Sequence, residues 1–226
     1  MRERLPLVVR RLIRPHLLGL RARTEPVDDR WGYDRGTPID RWYIERFLEA
    51  RRSDIRGRAL EVKDDGYVRR FGSSLEHVDV LDVDPSNARA TVQADLETGE
   101  GLPDRRYDCF VLTQTLQYIR DPAAAVRHAH ELLAPGGVLL ATVPSITRMT
   151  LGEPGLVDYW RFTEDSCRAL FDDVFGADRV AVESHGNLAA SAAFLAGYAL
   201  EELSAAERDR TDDRYPLVVC VRATHA

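Results

Sequence analysis

Apolar positions along this chain fall into two alternating patterns. Short β-prone runs, of which YDCFVLT at 107–113 is the most apolar, are separated by longer stretches with an apolar residue every three or four positions. The first pattern predicts buried strands and the second amphipathic helices. Their alternation predicts an α/β fold: a Rossmann-like, mostly parallel seven-stranded sheet with helices on both faces.

Taken in order, Thr37 and Pro38 supply an N-cap and first-turn proline for a helix with Ile39, Tyr43, Phe47 and Leu48 on one face. A first strand ends within ALEVKDDG, and VRRFG after it reads as a short helix or irregular connection. Strands are expected at 77–84, 90–94, 107–113 and 138–143, with a helix from Asp121 and Pro122 ended by Gly136 and Gly137. Thr163 caps the next helix, on which Cys167, Leu170, Phe171 and Val174 form the apolar stripe. After a strand at 179–183, residues 188–203 read as a helix apolar on most faces, either buried or a protein interface such as that of a homodimer. A charged loop, ERDRTDDR, precedes the last strand at 217–221.

Composition narrows the class. Hydrophobic residues make up 44% and charged residues 30% of 226 residues, enough apolar matter for one sizeable core. The expected organisation is a basic N-terminal extension and loop at 1–35 and one domain at 36–226. A formal net charge of -6 offers no global field for a phosphate backbone, which argues against nucleic acid as substrate. Cys109, Cys167 and Cys220 are widely spaced in apolar runs, as expected of reduced, buried thiols. No run approaches the ~18 apolar residues that span a membrane, and no signal-peptide pattern opens the chain, so a cytoplasmic protein is expected. Residues 1–24 carry seven arginines against one acid, with apolar residues at helical spacing. This basic amphipathic segment suits peripheral contact with an anionic surface or packing on its own domain.

Candidate chemistry gathers at strand ends. A doubly wound sheet receives its ligand at the carboxyl ends of its strands, and the turn after the first strand carries only Gly66 where nucleotide loops have several glycines. The second strand ends in Asp82 and Asp84, which suit a ribose, although either also serves to cap the turn with Pro85, Ser86 and Asn87. His128 and His130 point in nearly opposite directions from their helix, so no metal site is expected there. The segment 146–162 is long, irregular and aromatic, as functional loops are. In the early loop and helix, Arg35 and Tyr43 are candidates to line a substrate pocket.

The set RWGYDRGTPIDRWYIERF, RRFG, LTQTLQYI, LLAPGGVLLATVP and DYWRFT, in this order, resembles the class I S-adenosylmethionine-dependent methyltransferases. The resemblance covers about residues 36–222 and is narrower for a bacterial branch associated with polysaccharide or natural-product biosynthesis. It implies S-adenosylmethionine as cofactor, with Glu61 organising the methionine end, Asp82 at the ribose, Asp95 and Leu96 flanking the adenine, and Thr113 and Gln114 beneath the sulfonium. It also implies methyl transfer to a small molecule, a hydroxyl on a sugar or natural-product intermediate. Such an acceptor needs a general base, for which His185 and Asp158 are candidates, while Tyr159, Trp160 and Arg161 would hold the substrate. Lys63, the sole lysine, departs from the family pattern by taking the place of the turn's first glycine. Two outcomes follow: the side chain obstructs the methionine portion, or it swings into solvent and leaves the backbone path intact. Obstruction would favour a methyltransferase-fold protein that has lost transfer and serves as a scaffold or performs other chemistry.

Overall fold

The computed structural model describes residues 24–152 and 156–226. The basic amphipathic pattern of residues 1–23 therefore lies outside the described residues. The chain divides into two compact units, one holding 44–145, 149–183 and 219–226, the other holding 146–148, 184–218 and the residues up to 43.

Seven strands form one sheet: β1 (Gly57–Val62), β2 (Leu75–Asp82), β3 (Val92–Gln93), β4 (Tyr107–Thr113), β5 (Leu133–Pro144), β6 (Val180–His185) and β7 (Val218–Thr224). Their order is β3-β2-β1-β4-β5-β7-β6, and the pairs β1–β2, β1–β4, β2–β3 and β4–β5 are parallel. The strand order reverses between β1 and β4, which makes their carboxyl ends the switch point at which such sheets open a crevice. The register sets its level. Glu61 pairs with Val80 and with Val111, so Asp82 and Thr113 each lie two residues further along their strands.

β4 is the centre of the core. Cys109, Phe110, Val111 and Leu112 are fully buried, which explains why the run is apolar at consecutive positions rather than alternate ones. Leu60, Leu81, Leu139, Phe171, Val219 and Val221 form one cluster with Phe110 and Leu112. Burying each of these larger side chains contributes roughly 1.5–3 kcal/mol.

Helices α1 (Ile39–Ala50), α2 (Gly66–Phe71), α3 (Pro122–Glu131) and α4 (Glu164–Phe175) follow the sequence reading closely. Asp121 caps α3 by accepting from Ala124 N, and Thr163 caps α4 by accepting from Ser166 N. One boundary differs: α3 ends at Glu131, before the PGG segment. Tyr107 pairs with Leu133 but Cys109 with Val138, so 134–137 bulge out of β5 instead of extending a helix. A Cβ at Gly137 would stand 2.7 Å from Tyr107 O, so the close backbone approach demands glycine.

The apolar stretch 188–203 is not one helix. α5 (Leu188–Leu195) stops where Gly197 adopts φ +78°, and Tyr198 N turns back to donate to Ala193 O at 2.9 Å. A Cβ at Gly197 would lie 2.0 Å from Asp28 O, so packing against the 24–38 loop enforces the break. Ala190, Ala193 and Phe194 are buried, while Leu188 and Leu195 are exposed. Part of the expected charged loop is helical too: α6 (Ala205–Asp209) starts at a capping box of Ser204 and Glu207.

Candidate active site

β1 delivers Glu61 to the switch point, where it is 2% exposed. The carboxylate accepts from Tyr67 N at 3.2 Å and Val68 N at 2.8 Å, both in the first turn of α2. Burial pushes its carboxyl up to about 8, a rise that these two N–H bonds oppose and that Asp64 and Asp65 reinforce. A carboxyl in this condition holds its proton near neutral pH until a cation arrives beside it.

Lys63 follows in the left-handed region at φ +70°, with an exposed side chain. Its N–H donates to Leu81 O at 2.9 Å and its carbonyl accepts from Asn87 Nδ2 at 2.7 Å. The backbone thus follows the path a glycine would take, at a cost of about 1–2 kcal/mol for an L-residue. The side chain is exposed, with its charge near Asp84 at the rim. Asp64 accepts from Gly66 N at 2.8 Å and closes the turn into α2.

On the next strand Asp82 is held from both oxygens. Oδ1 accepts from Asp84 N at 3.0 Å and Oδ2 from Asn87 Nδ2 at 2.6 Å. Asp84 is exposed, and hydrogen bonds from the Ser86 side chain and then from Ser86 N, at 2.8 Å, hold its carboxyl below the usual range, with the charge of Lys63 assisting. The two acids have separate roles: Asp82 is oriented at the rim, and Asp84 caps its own turn. Beyond β3, Asp95 accepts from Glu97 N at 2.7 Å, and the buried Leu96 lends its carbonyl to His128 Nδ1 at 2.8 Å. Thr113 ends β4, and Gln114 after it takes φ +48° while donating its N–H to Thr142 O at 2.7 Å.

The aromatic loop is stitched to the turn after β4. Gln117 O accepts from Tyr159 N at 2.8 Å and Trp160 N at 3.3 Å, and Trp160 Nε1 donates to Ile119 O at 2.9 Å. Tyr159 and Trp160 remain 44% and 42% exposed. Trp160 walls an open groove of about 650 Å³ together with Arg120, Pro122, Phe162, Ser166 and Leu170. Asp158 is engaged otherwise than a base would be: Arg161 binds it through both terminal nitrogens, at 2.5 and 2.9 Å, and Thr150 N donates to it at 2.9 Å. Arg161 holds its carboxyl below the usual range, so Asp158 accepts a proton poorly and braces the loop instead.

Arg35, Tyr43 and His185 belong to the other unit. Arg35 Nε donates to Glu202 at 2.8 Å. Tyr43 stacks on His185 with ring centroids 6.1 Å apart, and its hydroxyl donates to Arg208 O at 2.9 Å. Within that unit Trp31 Nε1 donates to Thr147 Oγ1 at 3.1 Å, and the Arg148 guanidinium lies 3.7 Å from the Trp31 ring centre. His130 is occupied in packing, edge-on to Phe175 at 4.8 Å and beside His225 at 4.2 Å.

A family model described as a methyltransferase domain matches residues 66–173, from the start of α2 into α4. That match spans just under half of the chain, whose seven-stranded sheet has the fold of the class I S-adenosylmethionine-dependent methyltransferases. Solved structures share the fold of this methyltransferase-like chain at low identity. The N-methyltransferase NodS from Bradyrhizobium japonicum WM9, in complex with S-adenosyl-L-homocysteine, is 13% identical, with 88% of this chain and 93% of that one covered at a TM-score of 0.51. An S-adenosylmethionine-dependent methyltransferase from Mesorhizobium loti is 19% identical, with 79% and 95% covered at 0.51. DhpI in complex with S-adenosyl-L-homocysteine is 16% identical, with 83% and 86% covered at 0.52. No curated protein matches the sequence.

Two residues of this methyltransferase-like site escaped the sequence reading. Asn87 was visible only as a turn former, because its amide reaches Lys63, 24 positions away. Gln117 was visible only as part of the LTQTLQYI motif, because its carbonyl is paired with a loop that follows it by some forty residues. No local pattern carries either contact.

Proposed function

We propose that the chain transfers a methyl group from S-adenosylmethionine to a small molecule, through a hydroxyl of a sugar or natural-product intermediate. The observation that carries the cofactor half is Glu61: a carboxyl buried at the switch point and served, among the described residues, by backbone N–H groups alone. The donor set fits the cofactor's chemistry. An ammonium, a sulfonium and two ribose hydroxyls call for carboxylates, and the rim supplies Glu61 and Asp82 without a phosphate-binding loop. NodS and DhpI, solved with S-adenosyl-L-homocysteine, support the same cofactor here.

Bound at this rim, the cofactor supplies an electrophilic methyl group. Glu61 neutralises the ammonium, Asp82 accepts from the ribose hydroxyls, and Asp95 and Leu96 flank the adenine. Thr113 and Gln114 form the floor at the end of β4. Tyr159 and Trp160, held by Gln117 O, supply aromatic surface for a sugar-bearing or otherwise polar acceptor. The chain's contribution is alignment, since in-line displacement needs the acceptor atom and the methyl carbon brought together in one orientation. S-adenosyl-L-homocysteine leaves, and the hydroxyl proton passes to solvent through the open groove, Asp158 being held by Arg161.

Calorimetric titration with S-adenosylmethionine and S-adenosyl-L-homocysteine tests the cofactor half. Binding in the micromolar range is expected, and no heat at millimolar ligand would overturn it. Incubation with labelled cofactor and a panel of sugars and phenols tests the acceptor half. Label transferred only to amines would replace the hydroxyl reading with an N-methylating one.

A further inference from the structure

The β1 turn keeps an L-residue in a backbone region that glycine enters at no steric cost, and one side chain spans the two segments that frame it. Asn87 Nδ2 lies 2.7 Å from Lys63 O and 2.6 Å from Asp82 Oδ2. A primary amide carries two N–H groups, so both bonds form at once. The same side chain is anchored at its base, with Oδ1 accepting from Arg89 N at 3.0 Å and the Asn87 main-chain N–H donating to Asp84 O at 3.2 Å.

We propose that Asn87 is a positioning residue of the cofactor site, clamping the Lys63 carbonyl, and with it the left-handed turn, to the ribose-side carboxylate Asp82. The proposal rests on the cofactor reading above for its functional consequence. Its geometry is independent of that reading. Lys63 N–H is already pinned to Leu81 O at 2.9 Å, so the Asn87 bond fixes the second of the two peptide groups flanking Lys63. Rotation of Lys63 into a relaxed region would swing its carbonyl off Nδ2 and break the bridge. Asp82 gains as well, because Asn87 and the Asp84 N–H together hold its two oxygens in one orientation. An ordinary Asx turn would use only Oδ1, towards Arg89 N; the two Nδ2 bonds are surplus to turn formation.

A clamp that compensates for lysine should matter less when position 63 is glycine. The test is a double-mutant cycle on the full chain, with S-adenosyl-L-homocysteine as the titrated probe. Asn87→Ala is expected to weaken binding about tenfold in the Lys63 background, the loss of one to two hydrogen bonds. In the Lys63→Gly background the loss should shrink to about threefold, the part that reflects Asp82 alone. Rescue by glycine is the signature, because a role confined to Asn87's own turn would cost the same in both backgrounds. Equal losses in the two backgrounds, or no loss in either, would overturn the clamp. Asn87→Asp keeps the Oδ1 turn and removes both donors; wild-type affinity in that variant would also overturn it. If the wild type binds no probe at millimolar concentration, the cofactor reading fails instead, and the clamp is read from urea midpoints of the same four proteins. Destabilisation by Asn87→Ala that is smaller in the glycine background supports it, and additivity refutes it.

Discussion

Replacing Glu61 by glutamine should change how stability depends on pH. In the folded chain its carboxyl is pushed from 4.5 to about 8, chiefly by burial. The folded state therefore keeps a proton that the unfolded chain releases above pH ~4.5. Stability contributed by that proton is present at low pH and is lost as pH rises through about 8. Integrated over the whole window the loss reaches at most about 5 kcal/mol, and between pH 6 and pH 8 it amounts to about 2 kcal/mol. Glutamine cannot ionise, so its curve should lack this decline. It supplies one acceptor for the two N–H groups of Tyr67 and Val68, which lowers stability by about 1 kcal/mol at every pH. Slope and intercept thus separate the two effects. Urea denaturation of both proteins at pH 6, 7, 8 and 9 reads them directly. Parallel curves would refute a carboxyl that is neutral at pH 7. Linkage extends to the ligand: affinity for the cationic cofactor should rise about tenfold per pH unit up to pH ~8 and then level off, and in Glu61→Gln it should stay low and flat.

Lys63→Gly relieves the left-handed backbone, and the gain, less the glycine's greater freedom when unfolded, is about 1 kcal/mol or 2–4 °C in Tm; calorimetry showing a lower Tm would contradict the strain. Because the lysine side chain is exposed, cofactor affinity in that variant should remain within about twofold of wild type. Trp160→Ala removes an aromatic wall of the groove but no rim acid, so acceptor turnover should fall at least about tenfold at unchanged cofactor affinity; equal losses in both would move Trp160 into the cofactor site. Burial pushes the thiols of Cys109, Cys167 and Cys220 well above their ordinary range. All three should resist a thiol reagent in the native state and react once the chain is unfolded in urea, and prompt native labelling would show that the core around β4 opens.

Most of the sheet was legible because a buried strand and a half-buried helix leave different periods in the sequence. β4 was read to the residue, since every side chain from Cys109 to Leu112 is enclosed. Two caps were equally plain, because Asp121 and Thr163 act on N–H groups three residues away. The expected Thr37 cap was not found, because α1 begins only at Ile39, Pro38 bridges to Ala199, and the Thr37 hydroxyl donates to Glu201 Oε1 at 2.9 Å. The stretch 188–203 was misread for the opposite reason. Its apolar character persists through Gly197, and only the approach of Asp28 O breaks the helix there. The rim acids were legible as residues at strand ends, yet their duties were not. Asp82 and Asp84 look interchangeable in LDVD, and their hydrogen bonds separate an oriented rim carboxylate from a turn cap.

By itself, the sequence determined the alternation of elements, the apolar centre, and the placing of acids where strands finish, because each depends on neighbours a few residues away. Tertiary structure decided what those acids are worth and what the lysine does. Glu61 is raised because β1 carries it out of water against α2. Asp158 is spent as a brace because Arg161 and Thr150 reach it first. Lys63 holds a glycine's conformation because β2 takes its N–H and Asn87 its carbonyl, contacts that exist only once parallel strands are in register.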